Sequence, residues 1–78
     1  MADKKALKID RTPVNSSNIV SVGYDVVTKT LDVEFYTGRL YRYENVPEDT
    51  YNRLKSSSSV GSFFQKNVAR SFPYKKLA

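Results

Sequence analysis

The chain has 78 residues, of which 13 are lysine or arginine and 8 are aspartate or glutamate, so its formal net charge is +5. It contains neither cysteine nor histidine, which excludes disulfides, thiolate or imidazole metal sites and histidine-based acid–base catalysis. A chain of this length forms one small domain with a thin core. No apolar run is long enough to span a membrane, so we expect a cytoplasmic location and no membrane partner.

The N-terminal part of the chain is polar, rich in lysine and ends in a threonine–proline pair that disfavours helix. We predict a flexible basic tail over residues 1–13, with a short edge strand around Leu7 and Ile9 as the alternative. The first strand is predicted from Ile19 to Tyr24, where β-branched residues alternate between two faces. Gly23 in this strand indicates either a bulge or a close crossing by another segment.

The segment from residue 31 to residue 43 has the strongest local signal, an apolar–polar alternation that is typical of a β-hairpin. A two-residue turn would place Leu31 opposite Glu44. A three-residue turn places Leu31 opposite Tyr43 and therefore keeps apolar residues on one face. We predict the three-residue turn, because it ends in a left-handed position where Gly38 has no steric penalty.

The other face of the predicted hairpin pairs Asp32 with Arg42 and Glu34 with Leu40. We predict that this face is solvated and that its charges form an exposed ion pair. Carboxylate catalysis has little support here, and the serines of the chain have no general base other than lysine. The sequence therefore predicts a protein that is not an enzyme.

Two short helices are predicted after the hairpin. Residues 46–49 are typical of a helix start, since Pro47 is followed by two acidic residues. Ser58 or Ser59 can cap a second helix that runs to about Ser71 and stops before Pro73. The fold class is thus α+β, a three-stranded antiparallel β-meander with two short C-terminal α-helices packed on one face. The predicted core consists of Val33, Phe35, Tyr41, Tyr51, Leu54, Phe64 and Val68.

Charge is unevenly distributed, because all six charged residues after position 49 are basic. Such a surface favours a polyanionic partner, although a need for solubility explains it equally well. At the hairpin tip, Tyr36, Arg39 and Arg42 are candidate base contacts, whereas the register assigns Tyr41 and Tyr43 to the core. The candidate phosphate contacts are Arg53, Lys55, Lys66, Arg70, Lys75 and Lys76.

The start of the second helix is a second candidate site, because its unpaired backbone N–H groups favour an anion. Ordinary helix capping and a solvated basic face explain the same residues, and the glycine–lysine pattern of a P-loop is absent. No cofactor and no metal are predicted. The candidate anion-binding residues are Ser58, Ser59, Gly61 and Ser62.

A series of short motifs runs through the chain in a fixed order. They are Ser16-Ser17-Asn18-Ile19, Gly23-Tyr24-Asp25, Leu31-x-Val33-x-Phe35, Gly38 with Tyr41-Arg42-Tyr43, Val46-Pro47 with Tyr51, and Gly61-x-Phe63-Phe64 followed by Arg70. Their order resembles the KTSC domain family, whose members occur at the C-terminus of some lysyl-tRNA synthetases and as free-standing small proteins. The resemblance covers residues 14–74, leaving residues 1–13 as the tail and residues 75–78 as a basic C-terminal end. It implies no established activity, only RNA binding by association with the synthetase.

The sequence thus predicts a small non-enzymatic module that binds RNA through the basic surface of its C-terminal helix. Two alternatives from other classes remain open. One is a protein–protein interaction or inhibitor module, including one that forms a homo-oligomer through an open sheet edge. The other is a module that binds a nucleotide-like anion at the start of the second helix.

Overall fold

The computed structural model describes residues 8–78. It shows a single antiparallel sheet with the strand order β1-β2-β3-β4-β5, and two helices inserted between the last two strands. The elements are β1 Thr12–Pro13, β2 Ile19–Asp25, β3 Thr30–Phe35, β4 Leu40–Tyr43, α1 Glu48–Ser56, α2 Val60–Asn67 and β5 Tyr74–Lys76.

The α+β class and the two helices agree with the prediction, but the three-stranded meander is wrong because the sheet has five strands. Strand β1 lies within the segment that we predicted to be a tail, and β5 includes the start of the predicted C-terminal end. Residues 1–7, including Leu7, lie outside the described residues. The two added strands are only two and three residues long, and all of their residues are exposed.

The hairpin of β3 and β4 has the predicted register. Leu31 lies opposite Tyr43 and Val33 lies opposite Tyr41, so the apolar side chains share one face. The three-residue turn ends at Gly38, which adopts a φ of 90°. A side chain at this position would strain the backbone, which confirms the reason given for the glycine.

The core lies between one face of the sheet and the two helices. Leu54 of α1 and Phe64 of α2 are almost completely buried, with 0% and 2% of their surface exposed. Helix α2 ends at Asn67, earlier than the predicted end at Ser71, and the chain continues in turns. Four residues of the predicted core are buried, namely Val33, Leu54, Phe64 and Val68. The other three are partly buried, namely Phe35, Tyr41 and Tyr51.

The opposite face of the sheet is not solvated at its centre, which corrects the prediction for this face. Asp32 is only 2% exposed, and it lies opposite Gly23 of β2. A Cβ atom on Gly23 would lie 2.3 Å from the carbonyl oxygen of Asp10 and 2.9 Å from Cγ2 of Ile9. The segment before β1 therefore crosses this face at Gly23, which confirms the close crossing that the glycine indicated.

Candidate nucleic-acid interface

An open groove of about 690 Å³ lies between the hairpin tip and the C-terminal end of α2. It forms on the helix-facing side of the sheet and is bordered by residues of α2, which ends at Asn67, and of the turn that follows it. Arg39 and Arg70 contribute the basic groups of its lining. The aromatic residues that line the groove are Phe35, Tyr36, Tyr41, Tyr43, Phe64 and Tyr74.

Five aromatic rings of the groove form a connected cluster, and the ring of Tyr36 lines the groove outside this cluster. The ring of Tyr41 meets those of Phe35 and Tyr74 edge to face, with centroids 5.7 and 5.4 Å apart. Tyr36 and Tyr74 are 64% and 58% exposed. An exposed aromatic surface beside arginine side chains is typical of sites where unpaired nucleic-acid bases stack.

Backbone hydrogen bonds hold the hairpin tip in place at one wall of the groove. The N–H of Tyr36 donates to the carbonyl of Asn18 at 3.0 Å, and the N–H of Phe35 donates to the carbonyl of Arg39 at 2.9 Å. The tip is thus bonded to the residue that precedes β2 as well as closed on itself. This fixes the backbone from which Tyr36 and Arg39 project.

Strand β5 brings Tyr74 to the groove, a residue that the sequence analysis did not identify. Tyr74 pairs with Tyr43 of β4, and the N–H of Glu44 donates to the carbonyl of Pro73 at 2.9 Å. The ring of Tyr74 consequently lies 5.4 Å from the ring of Tyr43. The only signal for this placement was one aromatic residue in a short basic segment.

Several of the predicted phosphate contacts lie at or near the groove. Arg70 lines it directly, as do Tyr36 and Arg39, which we predicted as base contacts. Lys76 pairs with Tyr41, so the two residues share a face of the sheet. Lys66 is exposed on α2 and follows Gln65, which lines the groove.

Other predicted contacts lie elsewhere. On α1, the guanidinium carbon of Arg53 lies 5.7 Å from the centroid of the Phe63 ring, and the ammonium of Lys55 lies 4.5 Å from that of Tyr51. Lys75 lies 3.3 Å from a carboxylate oxygen of Glu44. Because Lys75 pairs with Arg42, it belongs to the face of the sheet opposite the groove.

Arg42 also belongs to that opposite face. Its Nε and one of its terminal nitrogens donate hydrogen bonds to the two carboxylate oxygens of Asp32, at 2.8 and 2.9 Å. Its side chain is 14% exposed and that of Asp32 is 2% exposed. The hydrogen bonds to Asp32 raise the pKa of Arg42, against the opposing effect of burial. The pair is therefore largely buried, contrary to the exposed ion pair that we predicted.

The start of α2 is capped as predicted. The hydroxyl of Ser59 accepts a hydrogen bond from the N–H of Ser62 at 3.4 Å. A Cβ atom on Gly61 would lie 3.3 Å from Oγ of Ser16, so this glycine allows the loop before β2 to pack closely. A cavity of about 320 Å³ between this loop and residues 58–62 is lined by serine, asparagine, valine and glycine. The lining holds no cation to neutralise an anion.

The pKa values of three tyrosine hydroxyls in and around the core are raised, so these groups are weaker acids than a free tyrosine. Burial raises the pKa of Tyr43 to about 12, with further contributions from Tyr74 and Tyr41. Burial also raises the pKa of Tyr24 and of Tyr51. Within residues 8–78, we find no cluster of three or more acidic, histidine or cysteine residues that could hold a metal, and no helix long and apolar enough to cross a membrane.

Comparison with known proteins identifies relatives that cover most of the chain. Residues 15–72 match the family model of the KTSC domain, which confirms the resemblance seen in the sequence. An uncharacterized protein of Stutzerimonas stutzeri is 41% identical over 56 residues, which are 72% of this chain and 79% of that protein. A crystal structure of a KTSC domain protein from Yersinia pestis has a TM-score of 0.85 and 35% identity, covering 91% of this chain and all of the other.

A second group of relatives consists of much longer proteins. A lysine–tRNA ligase from Nostoc is 34% identical over 62 residues, which are 80% of this chain but only 11% of the ligase. A lysine–tRNA ligase from Trichormus variabilis is 34% identical over 55 residues, or 10% of its length. The chain therefore corresponds to about a tenth of these ligases.

Proposed function

The chain belongs to the KTSC domain family, and from that premise we propose that it is a non-enzymatic module that binds single-stranded RNA. The binding site is the groove beside the hairpin tip. The observation that supports this proposal is that three accessible tyrosines and two arginines line one open groove. These residues are Tyr36, Tyr41, Tyr74, Arg39 and Arg70.

The chemistry of the groove matches the two parts of an unpaired nucleotide. The faces of the tyrosine rings offer surfaces on which bases stack, and each stacked base contributes about 1–3 kcal/mol in proteins of this kind. The guanidinium groups of Arg39 and Arg70 carry the charge and the planar donors that suit phosphate. A duplex would not use the site in this way, because its bases already stack on one another.

The relatives support RNA as the nucleic acid. The names of the lysine–tRNA ligases state that these proteins act on tRNA, and the matched segment is a small part of each. A segment that recurs within such enzymes and also in small proteins of similar length is consistent with an accessory RNA-binding module.

A titration of a short, dye-labelled single-stranded RNA, followed by fluorescence anisotropy at several salt concentrations, tests the proposal. We expect salt-dependent binding that is stronger than binding to the corresponding duplex. Arg39→Gln and Arg70→Gln should each weaken binding and reduce the salt slope by about 1, as expected for a lost phosphate contact. Tyr36→Ala should weaken binding through the loss of a stacking surface.

Two variants of equal charge serve as matched controls. Lys55→Gln and Lys75→Gln each remove one positive charge from residues outside the groove, so we expect small changes in affinity. Equal losses in all four charge variants would show diffuse attraction rather than binding in the groove. Absence of binding at low salt would show that the proposed function is wrong.

The alternatives have weaker structural support. Self-association through a sheet edge would need an accessible strand, but β1 ends in Pro13 and β5 carries Lys75 and Lys76. Proline and lysine on short edge strands oppose pairing with another chain. A nucleotide-like anion at the start of α2 would lack a cation in the adjoining cavity. We therefore place the ligand in the groove.

A further inference from the structure

The groove contains an uncharged side chain whose hydrogen-bonding groups are unused. Gln65 of α2 lines the groove and is exposed, and within residues 8–78 its amide makes no hydrogen bond to another group of the protein. The amide of Asn67, two residues later, instead donates to the carbonyl of Phe63 at 3.2 Å. The donor and the acceptor of Gln65 are thus available to a ligand.

The backbone of Gln65 belongs to a helix that is packed on the sheet. Its neighbour Phe64 is 2% exposed and packs edge to face against Phe35 and Tyr43, with centroids 5.5 and 5.4 Å away. Arg39 and Arg70 lie outside the helices and strands. Side chains on packed helices hold the more precise geometry, so Gln65 suits recognition of a base edge and the arginines suit phosphate.

The size of the groove limits its occupant to a short segment. A volume of about 690 Å³ is within the range of sites that hold one small ligand, about 300–1,000 Å³. One or two nucleotides would fill such a space, whereas a longer strand would extend beyond it. Sequence selectivity in this groove would therefore act at one or two base positions.

We infer that Gln65 makes the groove selective for an unpaired adenine, an inference that rests on the proposed RNA binding. A primary amide presents a donor next to an acceptor, which matches N7 and the N6 amino group of adenine. Guanine presents two acceptors on the same edge, N7 and O6, and these fit arginine or lysine instead. The tyrosine rings of the groove then hold the face of the purine while Gln65 contacts its edge.

Binding of labelled oligouridines that carry a single central adenine, guanine or cytosine, compared with the unsubstituted oligouridine, tests the inference. We expect the adenine-containing RNA to bind about 5- to 150-fold more tightly than the guanine-containing one. Gln65→Leu should remove this preference for adenine, because leucine offers neither the donor nor the acceptor of the amide. Gln65→Glu should shift the preference towards cytosine, whose N4 amino group donates to a carboxylate. Asn52→Leu, which removes an exposed amide from α1, is the matched control and should retain the preference for adenine.

The outcomes separate this inference from the proposed function. A preference for guanine would show that an arginine reads the base, and an adenine preference that survives Gln65→Leu would show that another residue does so. Either result, or the absence of any preference, overturns the role of Gln65 while RNA binding stands. If no oligonucleotide binds, the proposed function fails and this inference fails with it.

Discussion

Asp32 is a charged residue near the centre of the sheet, with only 2% of its surface exposed. A buried carboxylate is unfavourable unless hydrogen bonds and an opposite charge compensate for its lost hydration. Arg42 provides both, because its guanidinium donates to each carboxylate oxygen. The carboxylate of Asp32 can therefore be buried on this face because Arg42 is paired with it.

We predict that Asp32→Ala destabilises the protein by about 3 kcal/mol, since it removes the carboxylate that accepts two hydrogen bonds from the largely buried guanidinium of Arg42. Urea denaturation measures this change. Glu34→Ala is the matched control on the same face, because Glu34 lies 3.7 Å from Arg11 and both side chains are about one-third exposed. That substitution should cost no more than about 1 kcal/mol. Equal effects of the two substitutions would contradict the assigned burial of the Asp32–Arg42 pair.

At the scale of the elements, the segment before β1 crosses β2 closely at Gly23. The nearest contact of an added Cβ atom would be the backbone oxygen of Asp10, at 2.3 Å. A backbone atom cannot rotate away as a flexible side chain can, so any side chain at this position must displace the crossing segment. The glycine is needed here for close approach and not for an unusual backbone angle.

We predict that Gly23→Ala displaces the crossing segment, destabilises the protein by about 1–3 kcal/mol and speeds tryptic cleavage after Lys8 and Arg11. Urea denaturation and limited proteolysis measure the two effects. Gly61→Ala is the control, because its nearest contact is the side-chain oxygen of Ser16 at 3.3 Å and alanine favours helix by up to about 1 kcal/mol. Unchanged cleavage in Gly23→Ala would show that the segment does not depend on this contact.

The elements also differ in how far the sequence predicts them. The register of β3 and β4 follows from the apolar alternation, because a shift of one residue would expose Leu31 and Val33. Strands β1 and β5 have no such signal, since their residues are exposed and no apolar alternation marks segments of two and three residues. The crossing at Gly23 was predictable as a close approach, but its covering of Asp32 depends on tertiary contacts of Ile9 and Asp10.

The candidate site likewise contains residues that the sequence predicts and residues that only the tertiary structure brings to it. Tyr36, Arg39 and Arg70 were predicted, and the structure brings all three to the groove. Tyr41, which we predicted in the core, is packed against the core but only partly buried, and it also lines the groove. Tyr74 reaches the groove only because β5 pairs with β4, which no periodicity in the sequence indicates.

At the scale of the whole molecule, one residue connects the layers of the core. Phe64 of α2 contacts Phe35 of β3 and Tyr43 of β4, edge to face in each case. It also lines the groove, so the same ring supports both the fold and the candidate site. In a domain of 78 residues, few other contacts can replace such a link, because the core is small.

We predict that Phe64→Ala destabilises the protein by about 3–5 kcal/mol, through lost burial and the cavity that remains. Domains are typically stable by about 5–15 kcal/mol, so this change should bring the protein close to unfolding and lower its melting temperature markedly. Phe63→Ala is the matched control, because Phe63 is only partly buried and its ring faces the exposed Arg53. A thermal melt in which Phe64→Ala loses no more stability than Phe63→Ala would contradict the central position of Phe64. Because the groove shares this ring, the lost stability should be accompanied by lost RNA binding even below the melting temperature, whereas Phe63→Ala should retain it.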